Sequence, residues 1–168
     1  MDQKNSQNAP PKKQRDATSA SRSELGGELE LLPRRKVQCW IFFKDEHSVI
    51  HCLIFKTNNV RGSFWQPVTG TVEDHEGFFE AACREPIEET GFSFLTGPQD
   101  TGFEFEFNSR CGHAKERVFS LLVDGKHSPR LDPKEHQDFH WTSPEHALTL
   151  LRYPSNIEGL KIDLRHTF

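Results

Sequence analysis

The densest concentration of chemically capable side chains lies between Gly70 and Phe92. The run reads Gly70-Thr71-Val72-Glu73-Asp74-His75-Glu76 and ends in Arg84-Glu85-Pro86-Ile87-Glu88-Glu89-Thr90-Gly91-Phe92. On a helix Glu85 and Glu89 stand one turn apart and Glu88 sits beside them, so three carboxylates share one side. When ionised they repel, each unfavourable pair costing about a few tenths of a kcal/mol. A solvated helix relieves this with lysines, yet Arg84 is the one cation from Phe78 to Thr90. A divalent cation is the natural relief. Every candidate ligand is oxygen, which favours magnesium, with manganese able to substitute, over zinc. Magnesium takes one or two carboxylates and completes its shell with waters and substrate phosphates. The implied chemistry is attack of an activated water on a phosphate anhydride, with a carboxylate accepting the proton.

This segment resembles the Nudix box: Gly, five residues, Glu, seven residues, then Arg-Glu-apolar-x-Glu-Glu-x-Gly-apolar. Gly70, Glu76, Arg84, Glu85, Glu88, Glu89, Gly91 and Phe92 match in register. Seven of these places demand one residue type, and at roughly 6% usage each a chance match is on the order of one in a million. The resemblance implies a Nudix-type α/β/α sandwich with a mixed β-sheet. It implies that the Gly70 carbonyl, Glu85 and Glu89 hold magnesium with Glu88 assisting, and that Arg84 and Glu76 brace the loop against the helix. The segment Phe64-Trp65-Gln66-Pro67-Val68-Thr69-Gly70 is similar to the stretch before the box in a subgroup of bacterial dihydroneopterin triphosphate pyrophosphatases, many of whose relatives are called dATP pyrophosphohydrolases. On the same resemblance Glu135 is the distal metal ligand, and Trp65 and Gln66 are candidate substrate contacts. The basic loop of Arg110, His113, Lys115 and Arg117, which does not align with that subgroup, offers Arg110 and Lys115 as candidate phosphate or base contacts. Glu85, Glu88, Arg84 and Glu76 form the expected catalytic set, with Glu85 or Glu135 as base.

The expected activity is hydrolysis of a nucleoside or pterin triphosphate to pyrophosphate and a monophosphate. Three alternatives share the catalytic helix: an ADP-sugar, a dinucleoside polyphosphate or the triphosphate end of RNA as substrate. A fourth, from another class, is a non-catalytic domain that binds nucleotides. Its support is Pro86, which stands where the box has an apolar residue. Proline there removes the hydrogen bond to the Ala82 carbonyl, costs roughly 3 kcal/mol, and disfavours helical dihedrals at Glu85. A tolerated kink, an impaired enzyme and a silent relative are all compatible with the sequence.

The elements that must carry these residues are legible from pattern. Val37–Phe43 and Val49–Lys56 read as a hairpin, and Phe64–Gly70 as a short strand ending in a glycine turn. Phe78–Thr90 has helical period, with Ala81, Ala82, Cys83 and Ile87 available for a buried face and Gly91 as its stop. Phe103, Phe105 and Phe107 alternate with Glu104 and Glu106, which predicts a strand with a core face and a wet face. Glu116–Val123 and Phe139–Thr142 are further strands. Ser143-Pro144-Glu145 opens a helix reaching about Leu151, and Asn156–Leu164 a last one. A mixed sheet with helices packed on it is the simplest arrangement.

Composition bounds the rest. The 168 residues include 14 Phe and three Trp, none of them before Trp40, so the core belongs to the later part. Residues 1–33 form a polar tail whose composition predicts disorder, and 34–168 the folded domain. A formal charge of −4 argues against bulk binding of nucleic acid, an RNA 5′ end being the exception, and leaves a small nucleotide or pterin phosphate as the partner. No apolar run approaches the roughly 20 residues that span a bilayer. The N-terminus lacks the apolar stretch of a secretory signal, so a cytoplasmic location is expected. Cys39, Cys52, Cys83 and Cys111 lack CxxC spacing and read as buried reduced thiols. His47/His51 and His136/His140 have HxxxH spacing outside any helical pattern, which argues against zinc. Lys12, Lys13 and Arg15, and Arg34, Arg35 and Lys36, read as solvated clusters.

Overall fold

A computed structural model describes residues 32–168 of the chain. The polar tail and its Lys12, Lys13 and Arg15 lie outside the described residues. The elements in chain order are β1 (Arg34–Lys44), β2 (Ile50–Thr57), β3 (Trp65–Gln66), β4 (Val68–Thr71), α1 (Phe78–Thr90), β5 (Gln99–Ser109), β6 (Gly112–Leu122), β7 (His136–Thr142), α2 (Pro144–Leu150) and α3 (Pro154–Thr167).

Strand β1 organises the sheet. Along one edge it runs parallel to β6, from Arg34 opposite Ala114 to Phe42 opposite Leu122. Its other edge is divided. The first half pairs antiparallel with β4, Val37 facing Gly70, and the last residues pair with β2, Phe42 facing Cys52. Strand β2 then carries β3 at Phe55 and Lys56 and β7 from Cys52 to Thr57. The order is β3-β2-β1-β6-β5, a mixed sheet.

The pleat of β1 sends alternate side chains to two cores. Val37, Cys39, Ile41 and Phe43 join Ala81 and Ala82 of α1, Phe119, Leu121 and Trp141 on one face. Trp40 and Phe42 meet Ala147 of α2 and Leu160 of α3 on the other. Helices therefore cover both faces, and the α/β/α sandwich is the observed architecture.

Local chemistry explains the helix bounds. At the start of α1 the Gly77 amide donates to Glu80 Oε2 (3.1 Å), and Gly91 at φ 73° ends the helix, its amide donating to the Ile87 carbonyl (2.8 Å). Only a residue that tolerates the left-handed region serves there. Ser143 caps α2, its Oγ accepting from the His146 amide (3.2 Å), with Pro144 in the first turn.

Four expectations change. Pro67 divides the predicted Phe64–Gly70 strand into β3 and β4, because it has no amide to give to a ladder. Ile87 is 52% exposed, and Pro86 occupies the buried position beside Ala82 and Thr90. The helix turns at 100° per residue, which puts 82, 86 and 90 in one row and 87 outside it. Phe103, Phe105 and Phe107 are partly buried rather than core, since β5 is the sheet's edge, and their rings stack in series at 5.8 Å. Of the free thiols, Cys39 and Cys52 are buried, whereas Cys83 is partly exposed and Cys111 is exposed in the β5–β6 turn.

Candidate active site

The divided edge of β1 brings the catalytic candidates together. Gly70 sits in β4 opposite Val37, and α1 crosses that strand so closely that a Cβ at position 70 would lie 2.0 Å from Glu85 Cδ. Glycine is required here by the side chain filling that space, since its backbone is not in the left-handed region.

Arg84 is a five-contact hub. Its Nη2 and Nε donate to the two oxygens of Glu76 (Nε at 3.1 Å), and Nη2 also donates to the Thr71 carbonyl (3.1 Å). Nη1 donates to Glu85 Oε1 (2.9 Å) and Glu88 Oε2 (3.0 Å). The hydrogen bonds from Arg84 hold the Glu76 carboxyl down at about 2. The planar guanidinium fork thus fixes the loop on one side and aims two carboxylates on the other. Glu76 is itself tied back, accepting from the Glu73 amide (3.0 Å).

Glu89 is the most buried acid of the helix, and burial raises its pKa well above the carboxylate range, with the Glu135 and Glu85 charges adding to the rise. Burial also raises Glu85, against the opposing pull of Arg84. Glu135 belongs to the loop before β7, yet its charge is felt at both Glu85 and Glu89. That loop is pinned to residues 58–63 by Asn58, whose side chain donates to the carbonyls of Pro133 (3.2 Å) and Lys134 (2.8 Å) and whose amide donates to that of Glu135 (2.9 Å). The same loop sets Arg61 Nη2 3.3 Å from Glu135 Oε1.

Among the described residues no three acidic, histidine or cysteine side chains already converge as an ion cage. The cause is local pairing: Arg84 draws Glu85 and Glu88 aside, and Arg61 draws Glu135. The donor set nevertheless suits a hard divalent cation. All the carboxylates are oxygen donors, that of Glu89 is largely buried, and Gly70 leaves Glu85 the space it fills.

The sequence pattern of the NUDIX domain matches residues 32–161. The chain belongs to the Nudix family. A curated relative, dihydroneopterin triphosphate diphosphatase of Haemophilus influenzae, is 30% identical over 140 residues, which cover 71% of this chain and 87% of the relative. Among solved structures, a C. elegans Ap4A hydrolase binary complex aligns with TM-score 0.66 at 18% identity, covering 77% of this chain and 93% of that one. The E. coli dihydroneopterin triphosphate pyrophosphohydrolase aligns with TM-score 0.59 at 22% identity, covering 77% and 94%. These two likenesses establish the fold. As a Nudix protein with a relative named a diphosphatase, the chain is a hydrolase acting on pyrophosphate bonds.

Within this Nudix domain the other sequence candidates are more scattered. Trp65 and Gln66 are half-buried on β3; Trp65 packs against the core under α2 and α3, and Gln66 Nε2 lies 3.5 Å from Thr69 Oγ1. Lys115 is paired with Glu104 (2.6 Å), and Arg110 is exposed at the tip of the β5–β6 turn. Among the described residues, no hydrogen bond or ion pair joins either to the acidic helix.

Besides Arg84, Arg61 and Lys36 act on the acids, and both lower the proton affinity of Glu89. Lys36 Nζ is 3.6 Å from Glu116, a carboxyl that burial pushes up to about 7. Gln38 continues this buried polar row, its side-chain amide lying within hydrogen-bonding distance of Trp40 Nε1 (2.9 Å), Glu116 Oε1 (3.0 Å) and Asn156 Nδ2 (2.7 Å). A signal for Lys36 existed, since it continues the register of Trp40 and Phe42 along β1. Arg61 had none, because its place depends on two loops 70 residues apart. No described helix is long and apolar enough to cross a membrane.

Proposed function

We propose that the chain is a magnesium-dependent pyrophosphohydrolase of nucleoside or pterin triphosphates, of the dATP or dihydroneopterin triphosphate kind, releasing pyrophosphate and a monophosphate. The observation that carries this reading is the interlock of Gly70 with Glu85, on the helix that also carries Glu88 and the buried Glu89. The name of the H. influenzae relative supports the pterin substrate.

The Gly70 carbonyl, Glu85, Glu88, Glu89 and Glu135 would hold the metal, with manganese able to substitute. When bound, the cation offsets polyphosphate charge and acidifies the attacking water. The chain's own residues do the rest. Glu76 and the Thr71 carbonyl anchor Arg84, which keeps Glu85 and Glu88 in register along the helix. Glu85 or Glu135 takes the proton as the water oxygen bonds to phosphorus. The bridging P–O bond breaks, and pyrophosphate leaves with its electrons. Burial raises the proton affinity of Glu85, which suits it to that role. Arg61 and Lys36 stand where a polyphosphate would meet positive charge, and Trp65 and Gln66 remain the candidate contacts for the base or pterin.

The test is a substrate panel with magnesium and identification of products. Dihydroneopterin triphosphate or dATP should be cleaved to equimolar pyrophosphate and monophosphate, with kcat/KM about tenfold or more above that for ADP-sugars, dinucleoside polyphosphates and 5′-triphosphate RNA. A different order of preference would replace the substrate. Nucleotide binding without turnover at any magnesium or manganese concentration would replace the reaction.

A further inference from the structure

Glu89, in the last turn of α1, and His136, the first residue of β7, turn toward each other two buried atoms that nothing else satisfies. The Glu89 side chain is 10% exposed and that of His136 2%. Glu89 Oε2 and His136 Nε2 have no hydrogen-bond partner among the described residues, and they lie 3.9 Å apart. That separation is too long for a hydrogen bond, so each carries its desolvation penalty uncompensated. One small rotation of the carboxylate satisfies both at once.

The imidazole is well held for this. Its ring packs on Phe55 with centroids 5.0 Å apart, its residue faces Thr57 across β2, and its amide donates to the Asp132 carbonyl (2.9 Å). An N–H at Nε2 can donate to a facing carboxylate oxygen. The adjacent Glu135 belongs to the candidate metal set. One backbone segment therefore delivers an acid to the cluster and a donor to the acid facing it.

We propose that His136 is a positioning residue for Glu89, its Nε2–H donating to Glu89 Oε2 and so fixing the rotation at which the other carboxylate oxygen meets the divalent cation. The inference rests on the reading of α1 as a metal-holding helix and adds a residue outside the Nudix box to it. Partners of this kind, one bond removed from the metal, commonly change metal affinity 10- to 100-fold.

The test is binding of Mn2+ alone, without substrate, to the full chain, followed by the spectroscopic signal of the free ion and paired with thermal unfolding. Glutamine places an amide nitrogen near the position of Nε2, whereas asparagine places it near Nδ1. His136→Gln should bind Mn2+ within about threefold of the wild type, and His136→Asn about tenfold or more weakly. At saturating magnesium the two variants should share one KM for the triphosphate while their magnesium activation constants differ. Should either variant unfold, 15N shifts of the wild-type His136 ring give the second reading: the proton should sit on Nε2, and a proton on Nδ1 alone would overturn the proposal. Equal affinity of both single variants and the wild type, with a change in Tm alone, would reduce His136 to a packing residue and overturn the proposal. Wild-type protein that binds no Mn2+ at millimolar concentration would instead overturn the functional reading beneath it.

Discussion

Gly70 and Glu85 claim the same volume: a Cβ on the glycine would stand 2.0 Å from the Glu85 carboxyl carbon and 2.2 Å from its Cγ. Gly70→Ala is therefore predicted to displace the Glu85 side chain. Its strand backbone accepts alanine and Glu85 has solvent on one side, so the fold should survive. A displacement of about 1 Å in a catalytic group costs on the order of 100-fold. The expected result is a fall in kcat/KM of that size with Tm within a few degrees, read from steady-state kinetics and thermal unfolding. Retained activity would mean that the position of Glu85 is dispensable.

Glu76→Gln tests the Arg84 hub. The neutral amide keeps one acceptor but loses the charge and the second, so Arg84 guides Glu85 and Glu88 less firmly, and kcat should drop roughly 10- to 100-fold with little change in KM. The pH dependence has a defined sign. Because the folded-state pKa of Glu76 is depressed to about 2, its stabilising contribution is complete above the ordinary carboxylate pKa and is lost as pH falls through about 2. The stability difference between variant and wild type should therefore be constant from pH 6 to pH 8.

Asp163 works in the opposite direction. It lies on the buried face of α3, Thr167 Oγ1 donating to its Oδ1 (2.8 Å) while Oδ2 has no hydrogen-bond partner among the described residues. Burial raises its pKa to about 7. The folded state then holds a proton that the unfolded chain releases, so stability falls as pH rises from about 4 to about 7 and levels off above. Asp163→Asn mimics the protonated acid. The excess of its Tm over the wild type should be larger at pH 8 than at pH 5. Glu116, also raised to about 7, titrates in the same window, so the variant should flatten the slope without abolishing it. An equal Tm difference at both pH values would contradict this.

Pro86→Ala tests the departure from the Nudix box. The helix runs unbroken through Pro86, whose ring fills the buried row, and the Thr90 hydroxyl donates to its carbonyl (2.5 Å). Alanine would recover roughly 3 kcal/mol of backbone cost and forfeit about 1.6 kcal/mol for two buried methylenes. The net expectation is a gain of about 1 kcal/mol, a Tm higher by a few degrees, and activity no lower than the wild type. A lower Tm would show that the proline ring's packing outweighs its backbone penalty.

These particulars also mark what the sequence could and could not disclose. The spacing of Arg84, Glu85, Glu88 and Glu89 is local, so helical geometry alone places them on one side, and Gly91 and Ser143 announce the ends they make. The β-forming run Val37–Phe43 announces its strand, though not that its pleat serves two cores. By contrast, the half-buried Phe103–Phe107 ladder depends on β5 being an edge, which is a property of strand order. Pro86 and Ile87 exchange roles because the exact phase of α1 against the sheet is set by Ala81, Ala82 and the volume beneath them. Arg61 and His136 reach the acids only through pairings across β2 and the 58–63 loop, contacts that no local pattern encodes.

The central claim is that the buried carboxylate of Glu89 serves a divalent cation in hydrolysis, and it is tested most directly by comparing wild type with Glu89→Gln on dihydroneopterin triphosphate and dATP across a magnesium titration. The account predicts magnesium-dependent release of pyrophosphate by the wild type and loss of turnover by about 100-fold or more in the variant, with Tm unchanged or raised because a buried acid has been neutralised. Equal rates for the two proteins at saturating magnesium would contradict it.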